Sequence, residues 1–191
     1  MKKTNQLKKI RKAVEKVQDA KRFEHTLGVE YTAAALAMRY ECDINDARTA
    51  GLLHDCAKCF SDEKRLSICR KNHIKVTEVE RKNPFLLHAK VGAYLAREKY
   101  GIKEPDILNA IQNHTTGRRN MSLLEKIIFV ADYIEPGRKH APNLTETRKL
   151  AFIDIDRALV TILKDTLEYL KRSGGEIDPM TEETWRYYSQ H

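Results

Sequence analysis

Apolar residues recur at three- and four-residue steps along nearly the whole of this 191-residue chain. No run alternates apolar with polar residues as a half-buried strand would, so the pattern restricts the chain to helices. Leu7, Ile10, Val14 and Val17 form the first stripe, and a second helix runs from about Arg22 to Tyr40 through the Ala-rich "YTAAALAMRY". Asn45 is positioned to cap a third helix and Ser61 a fourth that ends near Asn72. Pro84 suits the first turn of a helix reaching Tyr100, with Gly101 behind it. Pro105 opens another that ends around "NHTTG". Ser122 and Glu125 make a capping-box pair before "LLEKIIFVADYIEP", which Pro136 stops. A long helix ends at Gly174-Gly175, and a short one starts at Thr181. The expectation is one all-α domain, 1–191, of about eight or nine helices.

The apolar stretches, such as "IIFVA", are too short to cross a bilayer. The basic N-terminus lacks an uninterrupted apolar core of the signal-peptide type, so a cytoplasmic protein with no membrane partner is expected. Net charge is +8, and a positive field favours anionic partners. Much of the excess lies in Lys2, Lys3, Lys8, Lys9, Arg11, Lys12 and Lys16, read as the solvated face of the first helix. No aromatic-rich strand pattern suggests an RNA-binding sheet. Of the four cysteines, Cys56 and Cys59 form a CxxC without a second ligand pair, so all four read as reduced, packed thiols.

Against this background several ionisable residues are out of place. "GLLHDCAK" sets His54 and Asp55 side by side in a small-residue, apolar helix. Asp132 interrupts "IIFVADYI", with Ile128 one turn back on its face. Such a carboxylate needs a cation or must protonate. His25, His88 and His114 each lie on a further helix, most of them beside apolar residues. His73, His140 and His191 sit in polar loops or at the terminus and read as surface groups. Imidazoles and carboxylates together suit Zn, Mn, Fe or Co, and helix bundles build such sites from inward-pointing side chains.

The motifs "RFEHTLGV", "GLLHDCAK", "LLHAKVGA", "NHTTG" and "VADYIEPGR", taken in order, resemble those of the HD-domain metal-dependent phosphohydrolases. Within that superfamily they look like the YqeK family of bacterial symmetrical diadenosine tetraphosphate hydrolases. The likeness runs from about Arg22 to Arg138, with a looser continuation to Thr181. It implies an HD-domain helical bundle with a core at about 22–138, completed by C-terminal helices at 144–188. It implies an iron or similar ion, with manganese, cobalt, zinc and magnesium as alternatives, one or two per chain. His25, His54, Asp55 and Asp132 would bind the first metal. His88 and His114 would hold a second metal or the substrate phosphates. The resemblance gives catalytic roles to Asp55, Lys58, His88 and His114, and places Arg22, Lys58, Thr115 and Arg138 near the phosphates. Ile177, Pro179 and Thr181 would help to hold the nucleoside. The tail departs from the family pattern, with Glu182 where Leu is usual and Arg186 where Asn is usual.

The implied reaction splits diadenosine tetraphosphate at its middle to give two ADP, with one chain or a homodimer as the active unit. A metal that lowers the pKa of bound water to roughly 7 would supply the nucleophile. Lys58, four residues after His54, would emerge on the same helical face to help neutralise phosphate charge. Two other readings stand beside this one. The first is a different HD-type nucleotide phosphohydrolase, acting on a monophosphate, a deoxynucleotide, an alarmone or an RNA end. The second is a non-catalytic nucleotide- or RNA-binding metalloprotein, although nucleic acid is not the expected partner.

Overall fold

The structure, a computed structural model, describes residues 2–190 and the side chains of residues 5–190. The side chains of Lys2 and Lys3 and the whole of His191 lie outside the described residues. The helices are α1 (Lys2–Glu15), α2 (Ala20–Arg39), α3 (Ile44–Leu53), α4 (Asp62–Lys71), α5 (Glu78–Lys82), α6 (His88–Glu98), α7 (Pro105–Asn113), α8 (Leu123–Ile134), α9 (Leu144–Ala151), α10 (Ile155–Ser173) and α11 (Pro179–Tyr188). A 3-10 turn, Pro84–Leu87, precedes α6. There is no strand among the described residues.

Most local signals act where the sequence puts them, although α11 starts at Pro179, capped by Asp178, rather than at Thr181, and three other differences stand out. Ser122 and Glu125 form the reciprocal capping box of α8, and Gly174 ends α10 in the left-handed region at φ 66°. The third helix is capped by Asp43 rather than Asn45. Asp43 is extended, and its Oδ1 accepts from the N–H groups of Asn45 and Asp46, whereas Asn45 already lies inside α3. The stretch from Pro84 to Tyr100 breaks into the 3-10 turn and α6. The short helices α5 and α9 raise the count among the described residues to eleven, above the expected eight or nine. Third, α3 stops at Leu53, so Cys56 and Cys59 lie in turns and share no helical face: Cys56 is buried and Cys59 exposed. Burial pushes the Cys56 thiol up to about 12, which keeps it protonated.

The main core cluster includes Leu36, Leu52, Leu53, Ile111, Ile127, Ile128, Leu159, Ile162 and Leu163, and a smaller one gathers Ala57, Cys69, Leu87 and Val91. Helix α2 packs on α3 and α8; α7 packs on α6 and α8; α10 packs on α8, α9 and α11. The approach of α3 to α2 depends on Gly51, where a Cβ would stand 3.0 Å from Glu30 Cα and 3.2 Å from Glu30 N. At the same crossing the buried Glu30 carboxylate accepts from Arg11 of α1 (2.7 and 2.8 Å) and from Arg48 of α3 (3.0 Å). A buried charge is tolerable only when paired and hydrogen-bonded in this way. Gly51 and Glu30 thus draw α3 against α2 and bring the start of the His54-Asp55 turn towards His25.

Candidate metal centre

Four of the six out-of-place residues sit at helix ends. His54 directly follows α3, with Asp55 in the next turn. His88 opens α6, and His114 directly follows α7. His25 lies within the second turn of α2, and Asp132 lies in the last turn of α8. At the C-terminal ends of α3, the 3-10 turn and α7, backbone carbonyls are available to side chains. The Nδ1 atoms of His54, His88 and His114 lie 2.7, 2.6 and 2.7 Å from the carbonyls of Gly51, Phe85 and Ile111, in each case three residues back. Those bonds assign the proton to Nδ1 and leave the Nε2 lone pair facing inward. His25 follows the same logic with a carboxylate, its Nδ1 lying 3.1 Å from Glu135 Oε1.

The inward atoms converge. His25 Nε2 is 3.1 Å from Asp132 Oδ1 and 3.9 Å from Asp55 Oδ2. His54 Nε2 is 3.6 Å from Asp55 Oδ2 and 3.9 Å from Asp132 Oδ1. On the other side, Asp55 Oδ1 lies 3.2 Å from His88 Nε2 and 3.6 Å from His114 Nε2. Asp55 therefore presents one oxygen to His25 and His54 and the other to His88 and His114. Three overlapping groups have mutually close donor atoms: His25, His54 and Asp55; His54, His114 and Asp132; Asp55, His88 and His114. Short as these distances are, His25 Nε2, His54 Nε2 and Asp55 Oδ1 have no hydrogen-bond partner although all three atoms are buried. Buried polar atoms left unpaired carry a free-energy cost. Lone pairs that meet in space without bonding to one another fit a shared cation, and imidazole with carboxylate is the donor set of a divalent metal.

The electrostatics are consistent with this. Burial lowers His54 to about 4, against the pull of the Asp55 and Asp132 carboxylates, so the ring is neutral at pH 7 and able to ligate. Burial also lowers His88, with Asp55 opposing and the neighbouring His114 and Lys58 adding to the shift. For His25 burial acts downward too, but Asp132 and Glu135 outweigh it and the pKa is raised. Asp55 and Asp132 resist the upward push of burial and lie well below the usual carboxylate range, held there by the surrounding imidazoles and, for Asp132, by Arg138. Both are thus ionised, the state in which a carboxylate can hold a cation. Asp132, 24% exposed, stands at the mouth of the site.

The predicted phosphate-side residues reach the same place. Arg22 Nη1 donates to Asp55 Oδ2 at 2.7 Å, and Arg138 Nη2 to Asp132 Oδ1 at 2.8 Å. Lys58 is carried by a turn rather than a continuing helix. Its Nζ lies 3.2 Å from His88 Nε2 and 3.9 Å from Asp55 Oδ1, and burial lowers its pKa. Thr115 Oγ1 is 3.4 Å from both His88 Nε2 and His114 Nε2. The tail residues stand apart from this cluster: Pro179 opens α11, Ile177 is half-buried, and Thr181 is buried with its N–H on the Asp178 carbonyl.

Three supporting residues escaped the sequence reading. Glu135 looks like a surface acid beside Asp132, yet it is buried. It meets His25 Nδ1, and its Oε2 accepts from the Gly137 N–H at 2.5 Å. Gly28 makes room for it, because a Cβ there would stand 2.4 Å from Glu135 Oε2. Its spacing of three residues from Asp132, which puts both on one helical face, is the signal that could have found it. Gln18 donates to the Asp55 carbonyl at 3.2 Å and accepts from Thr26 Oγ1 at 3.0 Å. Arg148 binds the carbonyls of Ile134, Glu135 and Arg138, which holds the loop that carries Arg138.

A comparison with protein families matches residues 22–137 to the HD domain. The chain belongs to the HD-domain family. Among similar proteins, this HD-domain chain is 41% identical over 166 residues to the symmetrical bis(5'-nucleosyl)-tetraphosphatase of Bacillus subtilis, covering 87% of this chain and 88% of that protein. It is 42% identical over 164 residues to the protein of the same name from Halalkalibacterium halodurans, covering 86% and 87%. A crystal structure from Clostridium acetobutylicum, described as a predicted HD superfamily hydrolase involved in NAD metabolism, superposes with a TM-score of 0.92 at 42% identity over 96% of each chain. The all-helical HD-domain bundle is therefore shared with a solved structure. No helix among the described residues is long and apolar enough to cross a membrane.

Proposed function

We propose that this HD-domain protein is a cytoplasmic, metal-dependent hydrolase that splits diadenosine tetraphosphate at its central phosphoanhydride to release two ADP. The observation that carries the reading is the convergence of unpartnered imidazole and carboxylate lone pairs from separate helices. The relatives of 41% and 42% identity, named for the symmetrical cleavage of bis(5'-nucleosyl) tetraphosphates, supply the substrate class.

His25, His54, Asp55 and Asp132 would hold the first divalent cation, with iron our choice over manganese, cobalt, zinc and magnesium. His88 and His114, which share Asp55 Oδ1, would hold a second cation or face the phosphates. A bound cation supplies Lewis-acid polarisation of a phosphoryl oxygen and a water acidic enough to ionise near neutral pH. The chain supplies the rest. Glu135 and the three backbone carbonyls fix the imidazole tautomers, so no reorganisation of the rings is needed at the moment of reaction. Lys58 places an ammonium beside His88, where charge builds on the phosphoryl oxygens. Arg22 and Arg138 place two guanidiniums at the mouth, suited to phosphate oxygens. Thr115 offers a hydroxyl between His88 and His114. The leaving group is an ADP phosphate, which departs without a strong general acid, so positioning and charge carry most of the catalysis.

Ile177, Pro179 and Thr181 would flank one nucleoside. In support, Glu176 Oε2 accepts from Asn83 at 2.9 Å, just before the turn that leads to His88, and Thr184 packs on Gly117, just after Thr115. The decisive experiment is metal analysis of the purified protein together with product analysis on diadenosine tetraphosphate. Two ADP, abolished by chelation and restored by ferrous or manganous ion, is the expected result. ATP plus AMP, or turnover that survives full removal of metal, overturns the reading.

A further inference from the structure

The donor cluster has two sides, and the side of His25 opens into a large cleft. This cleft, about 840 Å³, is lined by Arg22, His25 and Arg138 together with Tyr133 and with Tyr169 of α10. Neither Lys58 nor His88 nor His114 lines it. The volume falls within the roughly 300–1,000 Å³ of small-molecule sites. Three acids on the wall are already engaged. Asp19 caps α2, Glu135 serves His25 and Gly137, and Asp165 accepts from Asn143 at 3.0 and 3.1 Å. Lys21 and Lys139 add positive charge to the rim near the arginines, against one further lining acid, Glu24. Tyr133 is tied down by its hydroxyl, which donates to the Pro142 carbonyl at 3.0 Å. Tyr169, by contrast, is 57% exposed, an aromatic ring that the fold holds at a cleft without burying it.

A dinucleotide cut at its centre carries a nucleoside at each end of its phosphate chain, so the enzyme must accommodate two of them. Beside the tail segment, Glu176 accepts from Asn83 ahead of His88 and Thr184 packs on Gly117 behind His114, whereas the cleft is lined by His25 and by neither His88 nor His114. On the strength of the function proposed above, the geometry points to this cleft as the site of the second adenosine half of the dinucleotide, with adenine stacked on Tyr169. Stacking suits the position because it needs an exposed ring face and no buried hydrogen-bond partner. Arg22 and Arg138, shared by cleft and cluster, would pass the phosphate chain from one to the other.

The test uses the metal-loaded enzyme with Tyr169 intact, Tyr169→Phe and Tyr169→Ala. Each is titrated with the diadenosine tetraphosphate analogue that carries a methylene in place of the central bridging oxygen. Each is also titrated with inorganic tetraphosphate, which has no base. Tyr169→Ala should weaken the analogue about tenfold or more, while Tyr169→Phe stays close to the parent. In turnover the Ala variant should show a raised KM with unchanged metal content. Inorganic tetraphosphate should bind all three alike. Equal affinity of the parent and the Ala variant for the analogue overturns the assignment. So does an equal weakening of inorganic tetraphosphate, which would make the tyrosine a support for the phosphate site. If the parent releases two ADP and only the Tyr169 effect is missing, the cleft assignment alone falls. If the parent releases no ADP, the underlying function falls and takes the assignment with it.

Discussion

His25 and Glu135, 110 residues apart, are joined by a 3.1 Å contact between Nδ1 and Oε1 that orients the imidazole towards Asp132 and Asp55. A carboxylate behind a ligating histidine fixes its tautomer and raises its basicity.

Replacing Glu135 with Gln should therefore lower metal affinity about 10- to 100-fold while leaving the fold intact. Gly28→Ala should act the same way from the opposite wall, since its Cβ would stand 2.4 Å from Glu135 Oε2. Metal content after dialysis against graded chelator checks both. Affinity like that of the parent protein in both variants would show that His25 is oriented without the glutamate.

His54→Ala and Asp55→Ala should each abolish metal retention and turnover together. Asp55 faces all four imidazoles within 3.9 Å, so its loss removes a ligand from both sides of the site at once. Elemental analysis beside an ADP-release assay measures this. Normal turnover in either variant would contradict the assignment of these ligands.

Lys58→Ala should separate the two functions. Its ammonium touches His88 and lies 3.9 Å from Asp55, but it donates no lone pair to a cation. Metal content should stay near that of the unaltered protein, while kcat/KM for the dinucleotide falls about 10- to 1,000-fold, the range of a lost charge-stabilising donor. Loss of the metal on this substitution would move Lys58 to a structural role.

The metal-free protein should lose stability as the pH falls from about 6.5 to about 4. His54 binds a proton near pH 6.5 when unfolded but only near 4 when folded. Over that window the unfolded state holds more protons, so stability rises with pH and drops on acidification. A difference of 2.5 pH units at about 1.4 kcal/mol each corresponds to roughly 3 kcal/mol at the acid end. His88, also lowered, acts in the same direction. His25 opposes them, because its raised pKa favours the fold below pH 6.5 and that benefit disappears as the pH climbs through the folded value. Denaturant unfolding of the metal-free protein and of His54→Gln at several pH values checks the claim. The glutamine variant should have a slope shallower by about one proton between pH 4 and 6.5.

Much of this protein is decided locally. Three- and four-residue periodicity, the capping box at Ser122 and Glu125, and Gly174 behind α10 act within a few residues, so they can be read along the chain. The anomaly of His54, Asp55 and Asp132 is just as local, because an ionisable group among apolar neighbours at helical spacing needs no tertiary information to be noticed. What the chain alone leaves open depends on how helices cross and how they end. Gly51 sets how closely α3 meets α2, and α3 stops at Leu53, so Lys58 is carried by a turn rather than by the helical face that its spacing from His54 would give it. Glu135 becomes a buried support rather than a surface acid only because Gly28, on another helix, leaves room for it. The division of Asp55's two oxygens between two histidine pairs, and the cleft between Arg22 and Tyr169, arise from packing among α2, α3, α7, α8 and α10. The order of residues along the chain names the candidate ligands, and the helix crossings decide which of their atoms meet.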